Sequence, residues 1–144
     1  RLRKGTIPMI KVVYGNKGIG KTKYLIASAN DFYENCSGDV VFINRGISHI
    51  TNLRHQIRYV DISEFPIRTM EQLLSFMCGL IAQNYDIKAI YVDALSNYEI
   101  NQDQYNYFFD QVKALSEKFD TQFIFSISGD ISSIPEYVHK EYSC

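Results

Sequence analysis

Eight consecutive residues near the start of the chain have the types and spacing of a phosphate-binding loop. They match the pattern G-x-x-x-x-G-K-[ST] and are Gly15, Asn16, Lys17, Gly18, Ile19, Gly20, Lys21 and Thr22. Glycines let the backbone approach phosphates closely, so that loop N–H groups form an anion nest at the start of the following helix. Lys21 would reach the β- and γ-phosphates, and the Thr22 hydroxyl would bind Mg²⁺. The pattern, called a P-loop, therefore predicts binding of a nucleoside triphosphate with Mg²⁺.

A carboxylate follows a second apolar stretch of the chain. Asp93 comes directly after Ile87–Val92, as in the Walker B arrangement, in which the carboxylate holds Mg²⁺ directly or through water. The stretch Phe123–Ser128 is the next predicted strand. In one large division of P-loop proteins this strand lies between the P-loop strand and the Walker B strand. Thr22 and Asp93 are therefore the predicted Mg²⁺ ligands, and Ser128 is a catalytic candidate beside the γ-phosphate.

The sequence carries no evident glutamate to orient an attacking water. ATPases of this division usually have one beside the Walker B aspartate or at the tip of a neighbouring strand. Here Ala94 follows Asp93, and the second strand ends in Asn44-Arg45. Asp61, at the end of the third predicted strand, and Glu64, just after it, are further catalytic candidates. We therefore expect nucleotide binding with weak NTPase activity at most.

Strands alternate with helices along the chain, which is typical of an α/β protein with a mostly parallel sheet covered on both faces. About five strands are predicted, at Ile10–Tyr14, Asp39–Asn44, Ile57–Ile62, Ile87–Val92 and Phe123–Ser128. Helices are predicted at Lys21–Tyr33, after a capping box at Thr69–Gln72, at about Gln102–Phe119, and in a short terminal segment that begins near Ser133–Pro135. The stretch 45–56 is open between a short helix and a loop. Its Arg45 and Arg54, with Arg58, are either phosphate or partner contacts or solvated surface residues.

The cysteines and histidines indicate packing rather than metal chemistry. Cys78 continues an apolar i, i+3, i+4, i+7 stripe that starts at Met70, so it is predicted to lie in the core. The sequence has three cysteines without a C-x-x-C pair, which is typical of a reducing cytoplasm and argues against a zinc knuckle. The three histidines show no ligand spacing and are predicted at surface or boundary positions.

Length and charge limit the classes of partner. The 144 residues predict a single domain at 9–144, preceded by a basic leader or tag remnant at Arg1–Pro8. The net charge of −1 argues against electrostatic binding to nucleic acid or to an anionic membrane surface. No apolar run reaches about 20 residues, so no membrane span is expected.

The chain resembles a group of short, uncharacterised P-loop proteins of Gram-positive bacteria, some of them labelled twitching-motility or pilus-retraction ATPases. The resemblance extends over nearly everything from Met9 onward. It is carried by Met9–Lys11 leading into Gly15–Thr22, and by Val40–Ile43, Arg58–Asp61, Leu80–Ile87, Leu115–Phe119 and Ser128–Pro135. The resemblance implies a three-layer αβα P-loop NTPase fold with a RecA-like strand order. It also implies Lys21 and Thr22 on phosphate and Mg²⁺, Asp93 as the Walker B acid and Ser128 near the γ-phosphate.

Three functions remain open from the sequence. The first is a cytoplasmic ATP-binding protein, a slow ATPase or a nucleotide-dependent switch that acts through a protein partner or self-association. The second is a small-molecule kinase, which needs an acceptor pocket and usually a lid with arginines. The third is a nucleic-acid-stimulated RecA-like ATPase, which the near-neutral charge disfavours. ATP is expected rather than GTP, because the chain has no N-K-x-D motif.

Overall fold

The described part of the chain forms six strands and three α-helices, and an α-helix follows the first, third and fourth strands. The structure, a computed structural model, describes residues 9–16, 18, 20–100 and 102–143. The predicted leader Arg1–Pro8 and two loop residues, Lys17 and Ile19, lie outside the described residues. The strands are β1 (Ile10–Gly15), β2 (Asp39–Asn44), β3 (Arg58–Asp61), β4 (Ile87–Val92), β5 (Gln122–Ser128) and β6 (His139–Tyr142). The helices are α1 (Lys21–Asn35), α2 (Met70–Gln83) and α3 (Tyr105–Phe119).

All strand pairs are parallel, in the order β3-β2-β4-β5-β1-β6. Strand β5 therefore lies between β1 and β4, as predicted. In a parallel sheet every strand ends at the same edge, so the loops after β1, β2, β4 and β5 meet there. This edge carries the residues that the sequence assigns to the site.

Helices cover both faces of the sheet. On one face, α1 packs Leu25 and Ile26 against Val13 of β1 and Phe42 of β2. On the other face, α2 and α3 contribute residues such as Met77 and Phe109 to a larger core. The α/β class and the layered arrangement are therefore confirmed. None of the helices in the described part of the chain is both long and apolar enough to cross a membrane.

The predicted terminal helix near Ser133–Pro135 is wrong, and the sheet gains a sixth strand instead. The chain forms two successive turns, in which Ile134 N–H donates to Ile131 O at 3.0 Å and Val138 N–H donates to Pro135 O at 3.1 Å. Ile134 and Val138 are both buried by these turns. Strand β6 then pairs with the otherwise open edge of β1. Pairing that edge satisfies backbone groups that a helix at this position would leave unpaired.

The prediction that Cys78 lies in the core is also wrong, because its side chain is exposed. The buried residues of α2 form a narrower stripe of Met70, Leu73, Leu74, Met77 and Ile81. Successive residues are about 100° apart around a helix, which puts Cys78 at the border of that stripe. The sequence spacing alone does not show how wide the covered stripe is.

The capping box predicted at the start of α2 is present. The Thr69 side-chain oxygen accepts from the Gln72 N–H at 3.0 Å, and the Gln72 side-chain oxygen accepts from the Thr69 N–H at 3.2 Å. These bonds satisfy backbone donors that the first helical turn leaves without partners. The start of α2 is thereby fixed.

Replacing this cap is expected to destabilise the protein without changing the fold. We expect Thr69→Ala to lower the free energy of unfolding by about 1 kcal/mol, the typical cost of losing an N-cap side chain. Thr69→Ser keeps the hydroxyl and serves as the matched control, with a much smaller effect. Urea unfolding followed by circular dichroism measures both, and equal losses in the two variants would contradict the role of the hydroxyl.

Candidate functional site

The glycine-rich loop joins the end of β1 to the start of α1. Gly18 has φ 83° and Gly20 has φ 91°, in the left-handed region that side-chain-bearing residues avoid. A Cβ at either position would meet no atom within 4 Å, so the backbone conformation rather than crowding requires glycine. The two glycines thus allow the backbone conformations that lead the loop into the first turn of α1.

Lys21 lies against the loop backbone rather than in solvent. Its Nζ donates to Gly15 O at 3.1 Å and to Asn16 O at 2.6 Å. The residue is only 8% exposed. A buried ammonium is stabilised only where it has partners, and here the carbonyls at the end of β1 supply them. The positive charge is thereby fixed beside the loop.

Thr22 and Asp93, 71 residues apart in the sequence, are joined directly. The Thr22 hydroxyl donates to Asp93 Oδ2 at 2.6 Å. The other carboxylate oxygen, Oδ1, accepts from the Ser126 hydroxyl at 2.6 Å. Asp93 is 8% exposed, so its charge lies in a site that is largely shielded from water. The structure therefore brings together both predicted Mg²⁺ ligands.

Ser126 also fixes the turn that follows Asp93. Ala94 adopts φ 57°, an uncommon conformation for a residue other than glycine. Its N–H donates to Ser126 Oγ at 2.6 Å. One buried hydroxyl on β5 therefore holds both the carboxylate and the backbone turn after β4. Ser128, the candidate predicted from the sequence, lies two residues later on the same side of the strand, whereas no motif marks Ser126.

A cavity of about 300 Å³ opens beside the loop. The predicted residues that line it are Gly18, Gly20, Lys21, Thr22, Asp93 and Ser128, and they are joined there by Lys23, His49, Ala94, Ser96, Asn97 and Ser126. Ser128 is held through its backbone, since its N–H donates to Ser96 Oγ at 3.2 Å. His49 has no metal-type spacing in the sequence, and only the fold brings it to this cavity.

The other catalytic candidates, Asp61 and Glu64, do not line this cavity. Asp61 accepts from the Ser63 hydroxyl at 2.6 Å and from the Gly46 N–H at 2.7 Å. These two bonds hold the pKa of the Asp61 carboxyl below its usual range. Glu64 is exposed in the short 3-10 helix Ile62–Glu64. Asp61 thus holds a turn together rather than facing Thr22 and Asp93.

The three arginines lie at different places. Arg45 places its guanidinium 5.0 Å from the centre of the Tyr98 ring. Arg54 and Arg58 line a separate open groove beside β3. The structure therefore does not gather the three arginines around the glycine-rich loop.

The donors at Thr22 and Asp93 fit Mg²⁺ rather than a fully protein-coordinated metal. Among the described residues, no cluster of three or more His, Cys, Asp or Glu side chains is placed to hold a metal ion. Mg²⁺ keeps several waters and is usually bound by one or two carboxylates together with substrate phosphates. One hydroxyl and one carboxylate beside a glycine-rich loop match that requirement.

The two serines on β5 provide a test of this geometry. We expect Ser126→Ala to lower the free energy of unfolding by about 1–3 kcal/mol, because it leaves the Ala94 N–H and Asp93 Oδ1 without their partner. Ser128→Ala is the matched control and should change stability little, because the bond at this residue is made by the backbone N–H. Chemical unfolding measures both, and equal stabilities would contradict the network.

Comparison with known proteins adds no family assignment. A scan against protein-family models gives no match, and a search of curated proteins also finds no match. The function of this chain is therefore inferred from the geometry of the site itself.

Proposed function

We propose that the protein binds ATP together with Mg²⁺, as a P-loop NTPase fold with a RecA-like strand order. The observation that supports this best is the 2.6 Å hydrogen bond between the Thr22 hydroxyl and the Asp93 carboxylate, beside a glycine-rich loop that holds Lys21. The sequence predicts Thr22 and Asp93 from two separate patterns, the loop motif and the end of a strand. Their meeting at the carboxyl edge of a parallel sheet supports a shared ligand, since that edge is where such sheets bind ligands.

Each group has a distinct role in this proposal. Loop N–H groups and the Lys21 ammonium bind the β- and γ-phosphates. Thr22 and Asp93 hold Mg²⁺, which neutralises charge on the phosphate oxygens when it is bound. Ser126 is a positioning residue, because its hydroxyl fixes the Asp93 carboxylate.

Slow turnover is part of the proposal. Asp93 is the single carboxylate in the described lining of the cavity, and both of its oxygens accept hydroxyl hydrogen bonds. A carboxylate that holds Mg²⁺ is not also free to act as a base toward water. We infer a weak ATPase or a nucleotide-dependent switch in the cytoplasm, with adenine as the base because no guanine-reading motif occurs.

Removal of Lys21 tests nucleotide binding. We expect Lys21→Ala to weaken Mg²⁺-ATP binding by roughly 10- to 150-fold, because hydrogen bonds to charged groups contribute about 1.5–3 kcal/mol. Isothermal titration calorimetry measures the affinity. Lys113→Ala, which removes an exposed lysine on α3, is the matched control and should bind as the wild type does. If wild type and Lys21→Ala bind ATP alike, the proposed function is wrong.

The metal requirement has its own test. In wild type, chelation of Mg²⁺ with EDTA should weaken ATP binding. In Asp93→Asn the amide is a poorer Mg²⁺ ligand, so ATP affinity should change little when EDTA is added. Asp130→Asn removes an exposed carboxylate that follows β5 and should keep the wild-type response. An Asp93→Asn variant with the full wild-type Mg²⁺ response would exclude Asp93 as the metal ligand.

A further inference from the structure

A segment between β2 and β3 crosses toward the phosphate loop and carries His49 to the cavity. We call residues 45–54 the strap. It contains a single short 3-10 helix at Ile50–Asn52, and His49 directly precedes that helix. The strap is the only part of the described chain between β2 and β3 that lines the cavity beside Thr22 and Asp93, and it does so through His49.

The first end of the strap is held to the sheet. Gly46 N–H donates to Asp61 Oδ1 at 2.7 Å, and the Tyr59 hydroxyl donates to Gly46 O at 2.5 Å. Both partners belong to β3. The Arg45 guanidinium lies 5.0 Å from the centre of the Tyr98 ring, which adds a contact on the β4 side. The path of the chain out of β2 is thus fixed from two sides.

The second end is held to α1, the helix that follows the phosphate loop. Asn30 accepts from the Arg54 N–H at 2.9 Å and donates its side-chain N–H to Asn52 O at 3.0 Å. Arg54 also forms an ion pair with Glu34. Leu53 is buried in the core between α1 and the sheet. His49 is therefore placed by anchors on both sides of the site.

The middle of the strap is exposed apart from His49. Ile47 is 65% exposed and Ile50 is 42% exposed, whereas His49 is half-buried at the cavity. In this stretch, then, the histidine and not its apolar neighbours turns toward the site. The anchors at the two ends account for the placement of the strap, and no apolar packing of Ile47 or Ile50 is needed to hold it.

The cavity that His49 joins suits phosphate rather than a nucleobase. Its described lining contains no Phe, Tyr or Trp ring, and apart from glycine and alanine it consists of side chains that donate or accept hydrogen bonds. Its charged groups are Lys21 and Lys23 from α1 and Asp93 after β4. Thr22 and Asp93 would hold the Mg²⁺ that neutralises phosphate charge, so a terminal phosphate would lie at their end of the cavity.

We propose that His49 contacts the terminal phosphate and makes the site prefer a nucleoside triphosphate over a diphosphate. This rests on the proposed function and deepens it. The imidazole would donate an N–H to a γ-phosphate oxygen, which a diphosphate lacks. The strap would thereby couple the presence of the γ-phosphate to β3 on one side and to α1 on the other.

The test compares ATP and ADP on the same protein. Affinities of the full chain for each nucleotide with Mg²⁺ are measured by calorimetry for wild type, His49→Ala, His49→Gln and His55→Ala. We expect His49→Ala to weaken ATP binding roughly 3- to 30-fold and to leave ADP within about twofold. His49→Gln keeps an N–H donor and should recover part of the preference for ATP. His55, exposed in the groove beside β3, is the matched control and should change neither affinity.

The possible results separate the two proposals. If wild type binds neither nucleotide, both the proposed function and the role of His49 are wrong. If wild type binds both nucleotides and His49→Ala changes neither affinity, only the role of His49 is wrong. Equal weakening of ATP and ADP also overturns it, because the contact then does not depend on the γ-phosphate. Thermal unfolding without nucleotide shows whether each variant is folded.

Discussion

The hydrogen bond between Thr22 and Asp93 depends on one feature of the sheet, the position of β5 between β1 and β4. β1 leads into the loop before Thr22, and β4 ends just before Asp93. With β5 between these two strands, Ser126 lies beneath the carboxylate and holds its second oxygen. Had β4 paired directly with β1, no strand would lie there to supply that hydroxyl. The shielded carboxylate, the turn at Ala94 and the cavity beside the glycine-rich loop all follow from this strand order.

Much of the fold is predictable because local signals and the sheet agree. The five expected strands and three main helices are present, and the capping box at Thr69 starts α2 as expected. The prediction of a helix in the terminal segment is wrong because local signals and the sheet disagree there. A serine before Ile134-Pro135 is a valid local signal for a helix start, but the open edge of β1 offers backbone pairing that a helix cannot use. The prediction that Cys78 is buried is wrong because residue spacing gives the direction of the apolar stripe on α2 but not its width.

The site was predictable where a motif fixes the spacing and not where only the fold brings residues together. Thr22 and Asp93 are each marked by a pattern, a loop in one case and a strand end in the other. Ser126 has no such mark, because a serine within the apolar run Phe123–Ser128 looks like an ordinary buried strand residue. His49 lies in a stretch without clear periodicity, and its place at the cavity depends on anchors to β3 and α1 that no local pattern encodes.

Electrostatics indicates that a phosphate ligand in this site would need a metal ion with it. Asp93 carries a negative charge that is largely shielded from water, and a phosphate approaching Thr22 would bring further negative charge close to it. At a separation of about 4 Å two like charges repel by about 4 kcal/mol at an effective dielectric constant near 20. Lys21 offsets part of this repulsion, but its ammonium is bonded to the loop carbonyls on the β1 side. A divalent cation held by Thr22 and Asp93 would offset this repulsion, so the same carboxylate that disfavours bare phosphate would favour the magnesium complex.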